Sequence, residues 1–352
     1  MTAPPPTTSS SLNVLVLDDW EGLLASSAGV RAMRERGHRV RVLGRGEPLA
    51  RVDRGTLEAA HVLVAVRERT RLDGSALDLL PRLRLLLQTG GHAYHVDLGA
   101  CTARGVVVVL GRRVTAPRAA VPELSVMLMI AAFRRLGEVR VDAGGWPTAR
   151  VGRTLRGKQL GLVGAGRIGA HVARIASAMG MRVVAWGRPG AAYASGPEAA
   201  PDDQRIPRLP LDELLLTSDV VSLHLRLAPE TRRIISRDAL RRMKPSAVLI
   251  NTSRGDLVDE DALADALREG WIAGAGLDVF REEPLPSDSP LRSLRNVVMT
   301  PHIGWIVEES FTEFADIAAE QLRDFVAGRV DVDEVANPRA LEVNEKGPPS
   351  RM

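Results

Sequence analysis

Residues 160–169 read Leu160-Gly161-Leu162-Val163-Gly164-Ala165-Gly166-Arg167-Ile168-Gly169, and this stretch decides the fold. Its first four residues are a short apolar run behind polar Lys158 and Gln159, as expected of a strand buried in a parallel sheet. Glycines then recur as G-x-G-x-x-G, and residues 170–179 (AHVARIASAM) carry apolar side chains at helical spacing. Strand, glycine turn and helix in succession make a dinucleotide-binding fingerprint. In that reading Gly164 permits the tight turn, Gly166 lets the backbone approach a pyrophosphate, and Gly169 allows close helix–strand packing. The helix opening at Arg167 and Ile168 offers N–H groups and a positive dipole end to the phosphates.

Downstream, the next strand, Arg182 to Trp186, should end in an acid that binds the adenosine ribose. Gly187 and Arg188 stand there instead. An acid would repel a 2′-phosphate, whereas its absence beside an arginine leaves room and charge for one. NADP(H) is therefore the favoured cofactor and NAD(H) the alternative. Arginine supplies all but three of the 47 basic residues, so an arginine at an exposed position says little by itself. Residues 218–225 read as a further strand, with Thr231 beyond it.

Three residues of different chemistry follow in order: Arg254 in NTSRG, Glu283 in DVFREEP and His302 in TPHIG, at spacings of 29 and 19. Hydride transfer to a carbonyl needs a proton donor for the carbonyl oxygen, and a cation can anchor an acid group beside it. Imidazole titrates near working pH, which suits His302 as the donor. A carboxylate on its other nitrogen fixes the tautomer and favours the charged ring. Arg254 offers a rigid fork of donors to a carboxylate.

Together with the glycine turn, these residues make the chain resemble the D-2-hydroxyacid dehydrogenase family from about residue 60 to about residue 325. The resemblance implies catalytic roles for Arg254, Glu283 and His302. Glu283 is chosen over its neighbour Glu282 because the family's acid stands directly before proline. It also implies cofactor contacts at Thr231 and at Asp278 in LDVF, and substrate contacts at Arg67 in VRERT and at Gly90 and Gly91. At those glycines the family's G-V-G is altered to T-G-G-H. Two glycines permit successive N–H groups to converge on an anion. A glutamate at 283, where formate dehydrogenases carry glutamine, disfavours formate. Glyoxylate, hydroxypyruvate or a similar 2-keto acid is the implied substrate. The alternatives are a 3-phosphoglycerate-type dehydrogenase and a nucleotide-sensing binding protein like the family's corepressors, which keep the same site.

The implied fold is α/β with two domains: a Rossmann-type cofactor domain over 115–303, and a flavodoxin-like substrate domain over 12–114 plus 304–335, discontinuous in sequence. Strands are expected at Asn13–Val16, Val40–Leu43, His61–Ala65, Leu83–Leu87 and Val106–Leu110, and helices at Gly22–Arg36, Val121–Arg135 and Glu308–Ala327. Residues 1–11 and 336–352 read as disordered tails from their composition. The helix from Val121 is apolar nearly all round, and with Gly144-Gly145-Trp146-Pro147 it resembles the family's dimerisation elements. A homodimer is expected.

Composition bounds the rest. At 352 residues and 45% hydrophobic, the chain is long enough for two cores. The single Cys101 excludes an internal disulfide and fits a reducing compartment. No cysteine–histidine cluster suggests a metal. A net charge of +4, with the arginines scattered among 43 acids, argues against nucleic acid as a partner. The N-terminus lacks a signal-like pattern, and the apolar run Leu124 to Phe133 is far shorter than the roughly 20 residues a span needs. A cytoplasmic enzyme acting on a small molecule, away from membranes, is expected.

Overall fold

The computed structural model describes residues 11–45, 47–139, 151–187 and 206–345. The expected tail residues 1–10 and 346–352 and the segment Gly144–Pro147 lie outside them. Two compact units divide the chain, one of Met1–Ala116 with Val307–Met352 and one of Pro117–Ile306.

The first unit is a five-stranded parallel sheet of β1 (Asn13–Asp19), β2 (Arg39–Gly44), β3 (Val62–Ala65), β4 (Leu85–Gln88) and β5 (Val107–Leu110), in the order β2-β1-β3-β4-β5. This is the flavodoxin-like order. Strands β3, β4 and β5 are buried at every residue, as strands covered on both faces must be. The helix Glu308–Val326 belongs to this unit. It packs on the helix Ala28–Glu35 so closely that a Cβ on Gly29 would overlap the Ala315 carbonyl.

The second unit is a six-stranded parallel sheet of β6 (Gln159–Val163), β7 (Arg182–Trp186), β8 (Val220–Leu223), β9 (Val248–Asn251), β10 (Gly274–Leu277) and β11 (Val297–Met299). Its order is β11-β10-β9-β8-β6-β7. Strand order reverses between β6 and β8, so the crevice at their carboxyl ends is where a doubly wound sheet binds a ligand. On one face pack the helices Pro117–Phe133 and Arg167–Ala178, with Leu128, Phe133, Leu162, Val172 and Ala176 in their shared core.

Three sequence expectations need correction. The helix expected from Gly22 begins only at Ala28. Asp19 accepts hydrogen bonds from the N–H groups of Leu23, Leu24 and Ala25, which holds that stretch as a loop, and Ser27 caps the helix instead. Next, the expected tail from 336 is ordered as far as a helix, Arg339–Glu345. The Asn337 side chain accepts from Val108 N at 2.9 Å and donates to Val106 O at 2.9 Å, covering the edge strand β5. Last, the unit boundaries fall two or three residues later than expected. Thr115 and Ala116 donate to Glu313 of the first unit, and Ile303 and Gly304 donate to Asp278 of the second.

Candidate active site

The glycine turn closes the carboxyl end of β6. Gly164 has φ +100°, and a Cβ on it would stand 2.6 Å from the His224 carbonyl oxygen at the end of β8. A Cβ on Gly169 would overlap the Gly164 carbonyl, so this glycine lets the helix meet the strand. Around Gly166 a Cβ would meet nothing within 4 Å, so that side of the turn is open. Gly166 is also the N-cap of Arg167–Ala178, with no side-chain cap and no acid in the first turn. An uncapped helix start beside open space fits an anionic phosphate. Arg167 is exposed and Ile168 half-buried.

At the end of β7, a Cβ on Gly187 would again meet nothing within 4 Å. Arg188 lies outside the described residues. Thr231 is buried, and its hydroxyl donates to the Arg226 carbonyl at 2.8 Å while accepting from Ala228 N at 2.8 Å. It ties a loop of its own, and the helix cap further on is Ser236.

Asp278 follows β10 and is buried. Oδ1 accepts from Thr300 Oγ1 at 2.6 Å and from Ile303 N at 2.8 Å, and Oδ2 accepts from Gly304 N at 2.9 Å. Burial pushes its carboxyl above the usual range, against the pull of these donors. Its carbonyl also accepts from His302 N at 2.8 Å. Asp278 therefore folds the loop on which His302 sits, with His302 itself at φ +56°.

His302 Nδ1 lies 2.6 Å from Glu283 Oε2, while Glu283 Oε1 accepts from Phe280 N at 2.9 Å. Of the two adjacent glutamates, Glu283 is the one that meets the histidine. Arg254 follows β9 with extended backbone; its carbonyl accepts from Asn251 Nδ2 at 2.8 Å, and its guanidinium donates to the Ser253 carbonyl. Gly255 lies against Phe280, so the loop bearing Arg254 and the loop bearing Glu283 are packed backbone to backbone. Trp305, just past the histidine, is buried.

In the first unit, neither Gly90 nor Gly91 takes a left-handed conformation, so the glycine-dependent nest expected there does not form. The residue with φ +56° is Arg67, held by Thr89 Oγ1 accepting from its N–H at 3.0 Å and by its carbonyl accepting from Gln88 Nε2 at 3.1 Å. A Cβ on Gly90 would stand 2.7 Å from Arg67 Nη1. That glycine makes room for the guanidinium, while Gly91 is exposed with open space around it.

Sequence reading overlooked His224. It sits at the carboxyl end of β8 beside the glycine turn, with Nε2 2.9 Å from Ser222 Oγ. Burial pushes its pKa down to about 4, so the ring is neutral. The histidine of a strand end was visible, but only the fold sets it beneath Gly164.

A family model described as D-isomer specific 2-hydroxyacid dehydrogenase, NAD binding domain, matches residues 126–304. A glyoxylate reductase of Korarchaeum cryptofilum is 38% identical over 283 residues, covering 78% of this chain and 82% of the relative. A D-3-phosphoglycerate dehydrogenase of Methanocaldococcus jannaschii is 36% identical over 291 residues, 80% of this chain and 53% of that protein. Among solved structures, the pyruvate reductase of Chlamydomonas reinhardtii superposes with a TM-score of 0.77 at 30% identity, over 91% of this chain and 97% of its own.

Proposed function

The chain belongs to the D-isomer-specific 2-hydroxyacid dehydrogenase family, nicotinamide-dependent oxidoreductases, and on that premise we propose that it reduces a short 2-keto acid, glyoxylate or hydroxypyruvate, with NADPH preferred over NADH. The observation that carries the roles is the 2.6 Å contact between His302 Nδ1 and Glu283 Oε2. A carboxylate on Nδ1 keeps a proton there and orients the ring. Nε2 then gives a proton to the keto oxygen in reduction and takes one from the hydroxyl in oxidation. Arg254 supplies a fixed cation for the substrate carboxylate. The nicotinamide supplies the hydride when bound. Asp278 acts through the His302 loop it folds, and the Gly164–Gly169 turn receives the pyrophosphate.

The preference for NADPH rests on Gly187 and Arg188, where the second strand ends without an acid and with open space at Gly187. The first relative above is named a glyoxylate reductase, which supports the short substrate. The enzyme works as a cytoplasmic homodimer in this reading. Met127, Ile130 and Leu136 expose an apolar strip along and beyond the helix Pro117–Phe133, and no described helix is long and apolar enough to cross a membrane. A panel of glyoxylate, hydroxypyruvate, pyruvate and 3-phosphohydroxypyruvate, each assayed with NADPH and NADH, tests the whole. Turnover of none of them with either cofactor would refute an active reductase.

A further inference from the structure

Two loops of the candidate site rest on one face of the helix Pro117–Phe133, and all the residues concerned belong to the second unit. Val121, Leu124 and Ser125 stand at i, i+3 and i+4, so they share that face. A Cβ on Gly304, just past His302, would stand 3.4 Å from both Leu124 Cδ2 and Val121 Cγ2. Ser125 is fully buried, and its Oγ lies 2.7 Å from Oγ1 of Thr252, which shortly precedes Arg254. Ser125 Oγ donates to the Val121 carbonyl at 2.8 Å. A serine hydroxyl has one proton to give, so Thr252 donates to Ser125. The helix is itself held at this turn: Pro122 has no N–H for the Arg118 carbonyl, and His171 Nδ1 stands 3.2 Å from that oxygen.

We propose that Ser125 is a positioning residue for Arg254, acting through the Thr252 hydroxyl. The inference rests on the reading of Arg254 as the substrate's cation. Other bonds shape the Arg254 loop without reaching the helix. Asn251 accepts from Ser253 N at 3.0 Å and donates to the Arg254 carbonyl at 2.8 Å, and Ser253 Oγ donates to the Leu223 carbonyl of β8 at 2.7 Å. The Thr252–Ser125 bond ties the loop instead to the element on which the His302 loop also rests. It thereby registers the cation against the histidine. Both hydroxyls are buried, where removing one partner strands the other. A serine hydroxyl bonded to the carbonyl four residues back slightly destabilises its own helix. The neighbours Leu124, Val126, Met127 and Leu128 are all apolar, and a hydroxyl among them is accounted for by the proton it accepts from Thr252.

Thr252→Val keeps the shape of the side chain and removes the proton that Ser125 accepts. It should lower kcat/KM for the best keto acid by roughly ten- to a hundredfold, mainly through KM, as a displaced binding group does. The KM for the nicotinamide cofactor should not move. Ser125→Ala should act alike, and the two changes together should be no worse than either alone, because they break one bond. Thr252→Ser, which retains the hydroxyl, should recover most of the loss. In an Arg254→Lys background, where the rigid fork is already gone, Thr252→Val should add little. An equal loss in both backgrounds, or Thr252→Ser as impaired as Thr252→Val, would show a packing role and overturn the proposal. Wild-type kinetics in Thr252→Val, with Arg254→Lys impaired, would overturn it too and leave the reading of Arg254 standing. Wild-type kinetics in Arg254→Lys would overturn both.

Discussion

Gly255 and Phe280 touch backbone to backbone: a Cβ on Gly255 would fall on the Phe280 carbonyl group, far closer than real Cβ atoms come. The glycine stands directly after Arg254, and Phe280 N donates to Glu283. One small residue thus sets the spacing between the loop that holds Arg254 and the loop that holds the partner of His302. Gly255→Ala should push the two apart. Overpacking of this kind costs about 1–3 kcal/mol, and misplacement of a catalytic group by about 1 Å can cost 100-fold in rate. The expected result is a lower melting temperature together with a kcat reduced by about two orders of magnitude. Wild-type kcat in Gly255→Ala would show the close approach to be irrelevant to catalysis.

Removing the proposed proton donor gives the most direct check of chemistry. His302→Ala should lower kcat by roughly 10²–10⁴-fold, the usual contribution of general acid catalysis, and Arg254→Ala should act mainly on keto-acid KM and kcat together. Glu283→Gln keeps the shape of the side chain and removes the carboxylate that holds His302 Nδ1. Keto-acid kcat should then fall toward the roughly 10²–10⁴-fold loss of a missing donor, as the ring loses the partner that orients it. Steady-state kinetics read this loss, and a wild-type kcat in Glu283→Gln would remove Glu283 from the mechanism.

His224 makes stability depend on pH. Its folded pKa of about 4 lies below the ordinary 6.5, so the unfolded chain takes up a proton first as the solution is acidified. The contribution is complete above pH 6.5 and is lost as pH falls through 4, amounting to about 3 kcal/mol at 1.36 kcal/mol per unit. Urea midpoints at pH 7.5 and 4.5 should therefore converge in His224→Gln relative to the wild type. Equal acid sensitivity in both proteins would contradict the assignment.

Cofactor choice turns on the end of β7. Among the described residues nothing lies within 4 Å of a Cβ on Gly187, and the proposed charge-assisted contact to the 2′-phosphate, about 1.5–3 kcal/mol, corresponds to a preference of roughly ten- to a hundredfold for NADPH. Gly187→Asp should reverse it, since the acid repels the phosphate and accepts from the ribose hydroxyl of NADH. Kinetics with both cofactors decide the matter, and a wild-type preference for NADH would end this proposal.

Assembly has its own probe. Met127 and Ile130 are 42% and 40% exposed on the helix Pro117–Phe133, beside buried Val126, Leu128 and Met129. Ile130→Asp should convert a dimer, seen by light scattering near twice 38.0 kDa, into a single chain. A wild-type mass of one chain would dismiss the interface.

Local order in the chain was enough for the cofactor unit. The run from Leu160 to Gly169 specifies strand, turn and helix because each step depends on neighbours in sequence: an apolar run, glycines that escape Cβ clashes, and helical spacing. Arg254, Glu283 and His302 were legible for a similar reason, each in a short motif at a strand end. What sequence could not supply is how side chains distant in the chain divide their partners. Position before proline picked Glu283 over Glu282, but the contact with His302 itself, across 19 residues, comes from the fold. Paired glycines at 90 and 91 suggested a left-handed nest, yet the backbone places that conformation at Arg67 and uses Gly90 to clear its guanidinium. Asn337 looked like part of a polar tail until β5 offered it an N–H and a carbonyl at an uncovered edge. Backbone preferences are short-ranged and can be read along the chain. Hydrogen bonds such as Thr252–Ser125 are decided by which helix and strand end the fold brings together.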